Sequence, residues 1–458
     1  MPRGRRQVGS VALALVLLTG ACGGTQQEPE DPPSSSAPPA PPTEEVSISD
    51  GVTLPETRAG QAAAWVLEQL AADEGPSAEE AQERFADAFL TQVPAPQVAA
   101  VFAQLRAGGP YVVEGYNGTE DAARLPLVAA DGRFLLHVVT EPDGRMGTLF
   151  FEATRAVPDV TSLRDLDDAL AGLDAETSLL VADGASCEPL HERESDVARP
   201  IGSIVKLYVL DAVRQAVADG TLTWEDTLTL TDDLRSLPSG VLQEEPAGHQ
   251  VSVREAAELM ISVSDNTATD LLVDAVGREA VLTAVERLGH HDPALLTPIV
   301  TTRELFQLGF TDPDLREQWA TADTAGREEI LAGLPGGEVA FDPALAQDVV
   351  WTDDLDWFAT AHDLCRAHAA LQESGDETVL DILALSPGIE VPEGWEYVGF
   401  KGGSAPGEMA GSWYLGSADG EGYAVVVQIA ATDVAAVPDA GWMAGVVGQT
   451  AEVLAEEE

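Results

Sequence analysis

Only two lysines occur among the 458 residues, Lys206 and Lys401, against 22 arginines, and each has a serine three positions away. One lies in Ser203-Ile204-Val205-Lys206, the other in Lys401-Gly402-Gly403-Ser404. Arginine keeps its proton, whereas a desolvated lysine can lose it and act as a base. Residues three apart share a helical face, so Ser203 and Lys206 can meet on a helix. Serine becomes a nucleophile once a neighbour takes its proton, and a helix N-terminus offers backbone N–H groups to the oxyanion that then develops. Ser264-Asp265-Asn266 follows 61 residues after Ser203, between apolar helical stretches. Its serine could pass a proton and its amide could hold a substrate amide. Gly402 and Gly403, at the end of an expected strand, allow close backbone approach, and Lys401 would face a carboxylate in a cleft. Taken singly, each segment also reads as local structure, the first two as helix caps and the third as a strand-end turn.

The elements that must position these residues follow from periodicity. Helical spacing from Leu163 to Leu173 precedes an apolar strand, Thr177 to Val181, a turn at Asp183-Gly184 and a return through Cys187 to Arg193. A long helical region comes next. Strands are then expected over Trp395 to Lys401, Gly411 to Gly416 and Tyr423 to Ala430, with a turn at Asp419-Gly420 and a closing helix from Gly441 to Ala455. Two strands, an inserted helical block and three more strands predict one five-stranded antiparallel sheet flanked by terminal helices, with a separate helical lobe and a cleft between.

Ahead of this domain, residues 53–158 predict a small α+β domain. Three helical stretches lead into alternating segments at Tyr111 to Tyr116, Leu125 to Val128, Phe134 to Val139 and Thr148 to Glu152, with turns at Asp131-Gly132 and Asp143-Gly144. A cup of the steroid-isomerase or NTF2-like type is compatible with this order. No convergent titratable residues are legible there, which favours a packing or scaffolding role.

The formal net charge of −54 argues against nucleic acid and anionic membrane surfaces as partners. Arg3, Arg5 and Arg6 precede an apolar run from Val8 to Leu18, too short for a membrane span, and Thr19-Gly20-Ala21-Cys22 resembles a bacterial lipobox. Residues 1–22 are therefore expected to be a lipoprotein signal with Cys22 lipidated, and residues 23–52 a disordered Pro/Ser-rich linker. Export places Cys187 and Cys365 in an oxidising compartment, where a disulfide and two buried free thiols are both open. No Cys-x-x-Cys or His-Glu-x-x-His occurs, so no metal or other cofactor is expected.

The three elements in this order resemble the active-site set of class A β-lactamases and penicillin-binding proteins, over about 300 residues of the chain. With its small leading domain, the chain is similar to the two-domain exported serine hydrolases typified by the β-lactamase-like protein of clavulanic acid biosynthesis clusters. By that resemblance the catalytic residues are Ser203 as acylated nucleophile, Lys206 as its base and Ser264 as a proton relay. Asn266, Lys401, Gly402, Gly403 and Ser404 would bind substrate, and the N–H groups of Ser203 and Ser404 would form the oxyanion hole.

There are departures. The residue after the lysine usually carries a hydroxyl, and Gly402 has none; Ser404 is the available substitute. The glutamate that activates the deacylating water in class A has no counterpart between Asn266 and Arg303. Thr301-Thr302-Arg303-Glu304 reads as a capping box, and His290-His291-Asp292 as a loop after a helix end or a replacement base. Trp319, Trp351 and Trp357 in the long acidic insertion read as packing residues or as walls narrowing the cleft. The expectation is a monomeric, lipid-anchored, extracytoplasmic serine hydrolase that opens β-lactams or related small esters and amides through an acyl-enzyme, with slow deacylation. A D,D-peptidase or small-ester hydrolase, and a non-catalytic binder of β-lactams or peptidoglycan fragments, are the alternatives.

Overall fold

The computed structural model describes residues 47–456 apart from 50–51, 73, 130–131 and 419, and the chain divides into two units, Met1–Ala156 and Val157–Glu458. The expected signal segment with Cys22, most of the linker, and the Asp131 and Asp419 turn positions lie outside the described residues.

In the first unit Thr57 caps the helix Arg58–Ala71, its hydroxyl accepting from Gly60 N at 3.1 Å. Ser77 and Glu80 form a reciprocal capping box on Ala78–Arg84. The further helices Asp87–Gln92 and Ala95–Ala107 precede an antiparallel meander of Ala122–Ala129, Gly132–Thr140 and Met146–Thr154. Period-two alternation buries Leu125, Leu127, Leu136 and Val138 against the helices, where Trp65 meets Phe85 and Phe102 edge-on. The segment expected as a strand from Tyr111 to Tyr116 contributes only Val112–Val113 to the ladder beside Ala122–Ala129.

In the second unit the five-stranded antiparallel sheet has the expected split order, with Trp395–Ala405, Glu408–Ser417, Gly422–Ala430, Glu176–Asp183 and Pro189–Arg193 as successive neighbours. The helices Leu163–Ala171 and Ala440–Glu456 cover one face through a core including Leu166, Leu170, Trp442, Val446 and Leu454. The inserted helices pack on the other face, around Lys206–Ala218, Val253–Ser262, Asn266–Val276 and Ala361–Glu373. Cys187, just past the first strand, is disulfide-bonded to Cys365 on the last of these helices, with Cα atoms 6.0 Å apart. Both sulfurs are thus committed, and the free-thiol alternative does not apply.

The strand that carries Lys401 runs past its expected extent. Trp395–Ala405 does not stop at Lys401 but carries Gly402, Gly403 and Ser404 in register opposite Gly411, Ala410 and Met409, turning only at Pro406-Gly407. Two glycines suggest a strand end by propensity; cross-strand pairing overrides it here. This strand forms one edge of the sheet.

Candidate active site

Ser203 lies in a 3₁₀ turn, Gly202–Val205, that runs into the helix Lys206–Ala218. Its side chain caps nothing: the helix has no side-chain cap, and Val205 occupies the cap position. Ser203 is half-buried, whereas Lys206, one turn on, is 0% exposed. Lys206 Nζ donates to Ser264 O at 2.7 Å and to Asn266 Oδ1 at 2.8 Å, and it is hydrogen-bonded to Ser264 Oγ at 3.1 Å. No hydrogen bond joins it to Ser203 Oγ among the described residues. Burial, and then the charge of Lys401, hold Lys206 well below the ordinary lysine range, against opposing pulls from Asp270 and Asp265.

The three contacts suit a neutral amine. Ser264 O and Asn266 Oδ1 can only accept and take two N–H bonds, while the Ser264 hydroxyl can donate to the nitrogen lone pair. Ser264 Oγ also accepts from Lys401 Nζ at 3.0 Å, and Lys401 Nζ donates to Gly402 O at 2.7 Å. Lys401 is 3% exposed, and burial pushes its pKa down to about 7.

Ser264 holds this bridging position in left-handed backbone, φ 56°, between two helices. Asp265 anchors it: Oδ1 caps Ala268 N at 2.8 Å, while Oδ2 accepts from Val241 N at 2.6 Å and Leu242 N at 2.9 Å. The capping reading therefore describes Asp265, and it is what presents Ser264 and Asn266 to Lys206. Asn266 Nδ2 donates to Leu237 O at 3.1 Å, so much of its amide capacity positions Lys206.

Across from Ser203, the edge strand comes in at backbone distance. A Cβ on Gly403 would collide with Ile201 O and stand 2.6 Å from Ser203 N; one on Gly202 would stand 3.1 Å from Ser404 N. Only glycine at both positions lets the Ser203 and Ser404 amides lie side by side. The missing hydroxyl at Gly402 also has a local cause. A Cβ there would meet Phe400 Cζ at 2.8 Å, and the Phe400 ring is stacked on Trp413 with centroids 4.8 Å apart. Ser404, two residues on along the strand, brings the available hydroxyl to the same cavity.

A cavity of about 320 Å³ opens beside Ser203, its lining including the serines Ser203, Ser239, Ser264 and Ser404 and the apolar Phe400, Met409, Trp413 and Met443. Lys206 and Lys401 are bonded to Ser264 behind this wall, with Asn266 bonded to Lys206, and among the described residues no carboxylate or histidine lines it. His290-His291-Asp292 is committed elsewhere: His290 Nε2 donates to Phe358 O at 2.9 Å, and His291 Nδ1 pairs with Asp363 at 2.7 Å. Trp319, Trp351 and Trp357 bond to the backbone oxygens of Asp354, Gly407 and Val300 and do not line the cavity. Thr301 and Glu304 form the expected capping box. Ser239, whose Oγ donates to Ser264 O at 2.8 Å, was not legible in the sequence, nor were Asp356 and Glu408, which lie beside Gly202.

Residues 163–383 match the model of the Beta-lactamase enzyme family, and residues 54–146 match the model described as ORF 12 gene product N-terminal. Among solved structures, a β-lactamase of Sphaerobacter thermophilus is 20% identical, with a TM-score of 0.45, covering 64% of this chain and 96% of its own. PBP-A is 16% identical at a TM-score of 0.45, covering 66% and 100%. The chromosome-encoded β-lactamase of Vibrio parahaemolyticus is 14% identical at a TM-score of 0.45, covering 64% and 97%. No curated protein matches the chain.

Proposed function

From the premise that the larger unit has the β-lactamase and penicillin-binding-protein-like serine hydrolase fold, we propose that it opens β-lactams, or small esters and amides of similar shape, through an acyl-enzyme on Ser203. The observation that carries this is a fully buried Lys206, depressed in pKa and one helical turn from Ser203, whose two carbonyl partners leave its lone pair to a hydroxyl, that of Ser264 at rest and that of Ser203 once substrate is bound. Lys206 takes the Ser203 proton as the Oγ–acyl carbon bond forms. The proton passes through Ser264 to the leaving nitrogen or oxygen as that bond breaks. The Ser203 and Ser404 amides receive the oxyanion. General-base contacts of this kind tighten when substrate binds, which accommodates the absence of a Ser203–Lys206 bond.

Two features bear on substrate and rate. Gly402, Gly403 and Ser404 of the edge strand line the cavity and give an extended substrate amide a backbone to pair with, and Phe400, Met409, Trp413 and Met443 in the lining favour an apolar substituent. Among the described residues no carboxylate lines the cavity to activate water as the class A glutamate does, and the acyl-enzyme should turn over slowly. Anchoring at Cys22 on the outer face of the cytoplasmic membrane belongs to the same proposal, and the Cys187–Cys365 bond suits such an oxidising compartment.

Intact-mass measurement after exposure to a penicillin, a cephalosporin and an activated ester tests this reading. An adduct on wild type that Ser203→Ala abolishes supports it, and its persistence reports slow deacylation. No adduct with any of the three, alongside measurable binding, would replace it with the non-catalytic reading.

A further inference from the structure

Glu408 opens the strand that follows the Pro406-Gly407 turn, opposite Ala405, and is 2% exposed. Neither of its carboxyl oxygens has a donor among the described residues. Its side-chain partner is Asp356, in the loop just before Phe358–Ala359, which pairs with Arg199–Pro200. Asp356 Oδ1 accepts from Gly202 N at 2.9 Å and from Trp357 N at 2.6 Å. Two carboxylates cannot hydrogen-bond to each other without a proton between them. Gly202 is part of the same junction: a Cβ there would stand 3.0 Å from Glu408 Oε1. The pair therefore joins the segment just ahead of Ser203 to the hairpin just after Ser404. Trp351 Nε1, donating to Gly407 O at 3.1 Å, adds a second link from the same loop.

The surrounding charges are committed elsewhere. Arg199 pairs with Glu176 and Glu194, Asp353 with Arg316, and Asp354 with Arg327. Lys401 is bonded to Ser264 and Gly402 O, and Lys206 to Ser264 and Asn266. No hydrogen bond or ion pair from Arg199, Lys206 or Lys401 reaches either carboxyl among the described residues. Loss of water pushes Asp356 up to about 6, and burial, with the Asp356 charge beside it, raises Glu408 well above the ordinary carboxylate range. Glu408, raised the further of the two, is the carboxyl to which the shared proton is assigned, and Asp356 Oδ1 accepts from Gly202 N and Trp357 N.

We propose that Asp356 and Glu408 are positioning residues for acylation: one proton shared between them clamps Gly202 to the Ala405–Glu408 hairpin, so that the Ser203 and Ser404 amides face one point. The consequence for catalysis rests on the acyl-enzyme reading above; the clamp itself does not. A group whose pKa is raised on folding stabilises below its unfolded pKa and loses that contribution as pH rises through the folded value. The clamp should therefore hold at acid and neutral pH and open on the alkaline side.

Glu408→Gln supplies an amide donor to Asp356 that does not titrate, whereas Glu408→Leu removes the donor. In the full chain, protection of the Gly202 and Ser203 amides against hydrogen exchange should fall at alkaline pH in wild type beyond the intrinsic rate change. It should persist in Glu408→Gln and be lost at every pH in Glu408→Leu. The acylation rate of Ser203 should lose one alkaline fall in Glu408→Gln and drop roughly tenfold to hundredfold at neutral pH in Glu408→Leu, the scale of a misplaced oxyanion donor. Identical pH profiles of amide protection in wild type and Glu408→Gln would overturn the clamp. Altered protection with no acylation in any variant would leave the clamp standing and remove the acyl-enzyme reading instead.

Discussion

Lys206 and Lys401, 195 positions apart in sequence, converge on a single oxygen: their Nζ atoms stand 3.1 and 3.0 Å from Ser264 Oγ. Two ammonium groups at that spacing in a buried site repel each other, and one hydroxyl hydrogen cannot satisfy both nitrogens. The consistent arrangement near neutral pH has Lys401 donating to Ser264, and Ser264 donating to a neutral Lys206. On the proposed mechanism the two lysines therefore have different tasks, Lys206 as base and Lys401 as hydrogen-bond donor to Ser264.

That division separates two conservative substitutions. Lys206→Arg puts a permanent charge where a neutral amine stood and removes the titratable base, and its larger planar head cannot reproduce the contacts of a compact amine. Adduct formation at Ser203 should fall at least a thousandfold, roughly the loss expected when a nucleophile loses its base. Lys401→Arg should retain part of the rate, within about a hundredfold. Intact-mass time courses on both variants measure this, and equal losses would contradict the separate roles.

Burial of Lys401 also makes stability depend on pH. Its pKa is held down to about 7 in the folded chain against an ordinary 10.5, so between those values the unfolded chain binds more protons. Stability from this group accordingly rises with pH through that window, and its destabilising effect is complete below it. Lys401→Met should raise the thermal unfolding midpoint most at or below neutral pH, with the gain shrinking toward pH 10. A gain equal at every pH would place the cost in packing instead.

Ser203, Lys206, Ser264 and Lys401 stand out in the sequence because each lies in a short motif; the structure brings both lysines to Ser264, and Lys206 makes no bond to Ser203 among the described residues. The split sheet was legible because alternation survives in strands as regular as Gly422–Ala430. Other features were not. Continuation of the edge strand through Gly402 and Gly403 depends on pairing with Gly411 and Ala410, a long-range term absent from local propensity. The Asp356–Glu408 pair joins residues 52 positions apart, neither in a motif, and an acidic chain offers many such pairs. Ser239 is held at the cavity by long-range bonds, from Asn266 N to its carbonyl and from its hydroxyl to Ser264 O, with Asp265 tying down Val241 and Leu242 beside it. Asn266 reads in the sequence as a substrate contact, yet its side-chain oxygen is occupied by Lys206.

Gly403 supplies a sharper test of the oxyanion geometry than any polar residue. Because a Cβ there would run into Ile201 O and the Ser203 amide, and both obstacles are backbone, Gly403→Ala must push the edge strand away from the Ser203 turn. Acylation should fall roughly a hundredfold or more, while the circular dichroism spectrum stays that of wild type. Unchanged acylation would mean that the Ser404 amide does not act on the oxyanion.

The disulfide makes a prediction about stability that leaves the site chemistry aside. Cys187 follows the first strand of the sheet and Cys365 lies on a helix that reaches the sheet only after the helical insertion, so the bond closes a loop with a sequence separation of 178. Long loops lose the most unfolded-state entropy when crosslinked, and removing a native bond of this kind costs about 2–5 kcal/mol. Both sulfurs are buried, so Cys187→Ala with Cys365→Ala also leaves a small void. The double variant should unfold several degrees lower, while Lys206 and Ser264, held by their own bonds, should still support adduct formation at Ser203 below that temperature. Loss of acylation in a variant that remains folded would show that the insertion needs this bond to present Ser203, and that sheet and helices are not positioned by packing alone.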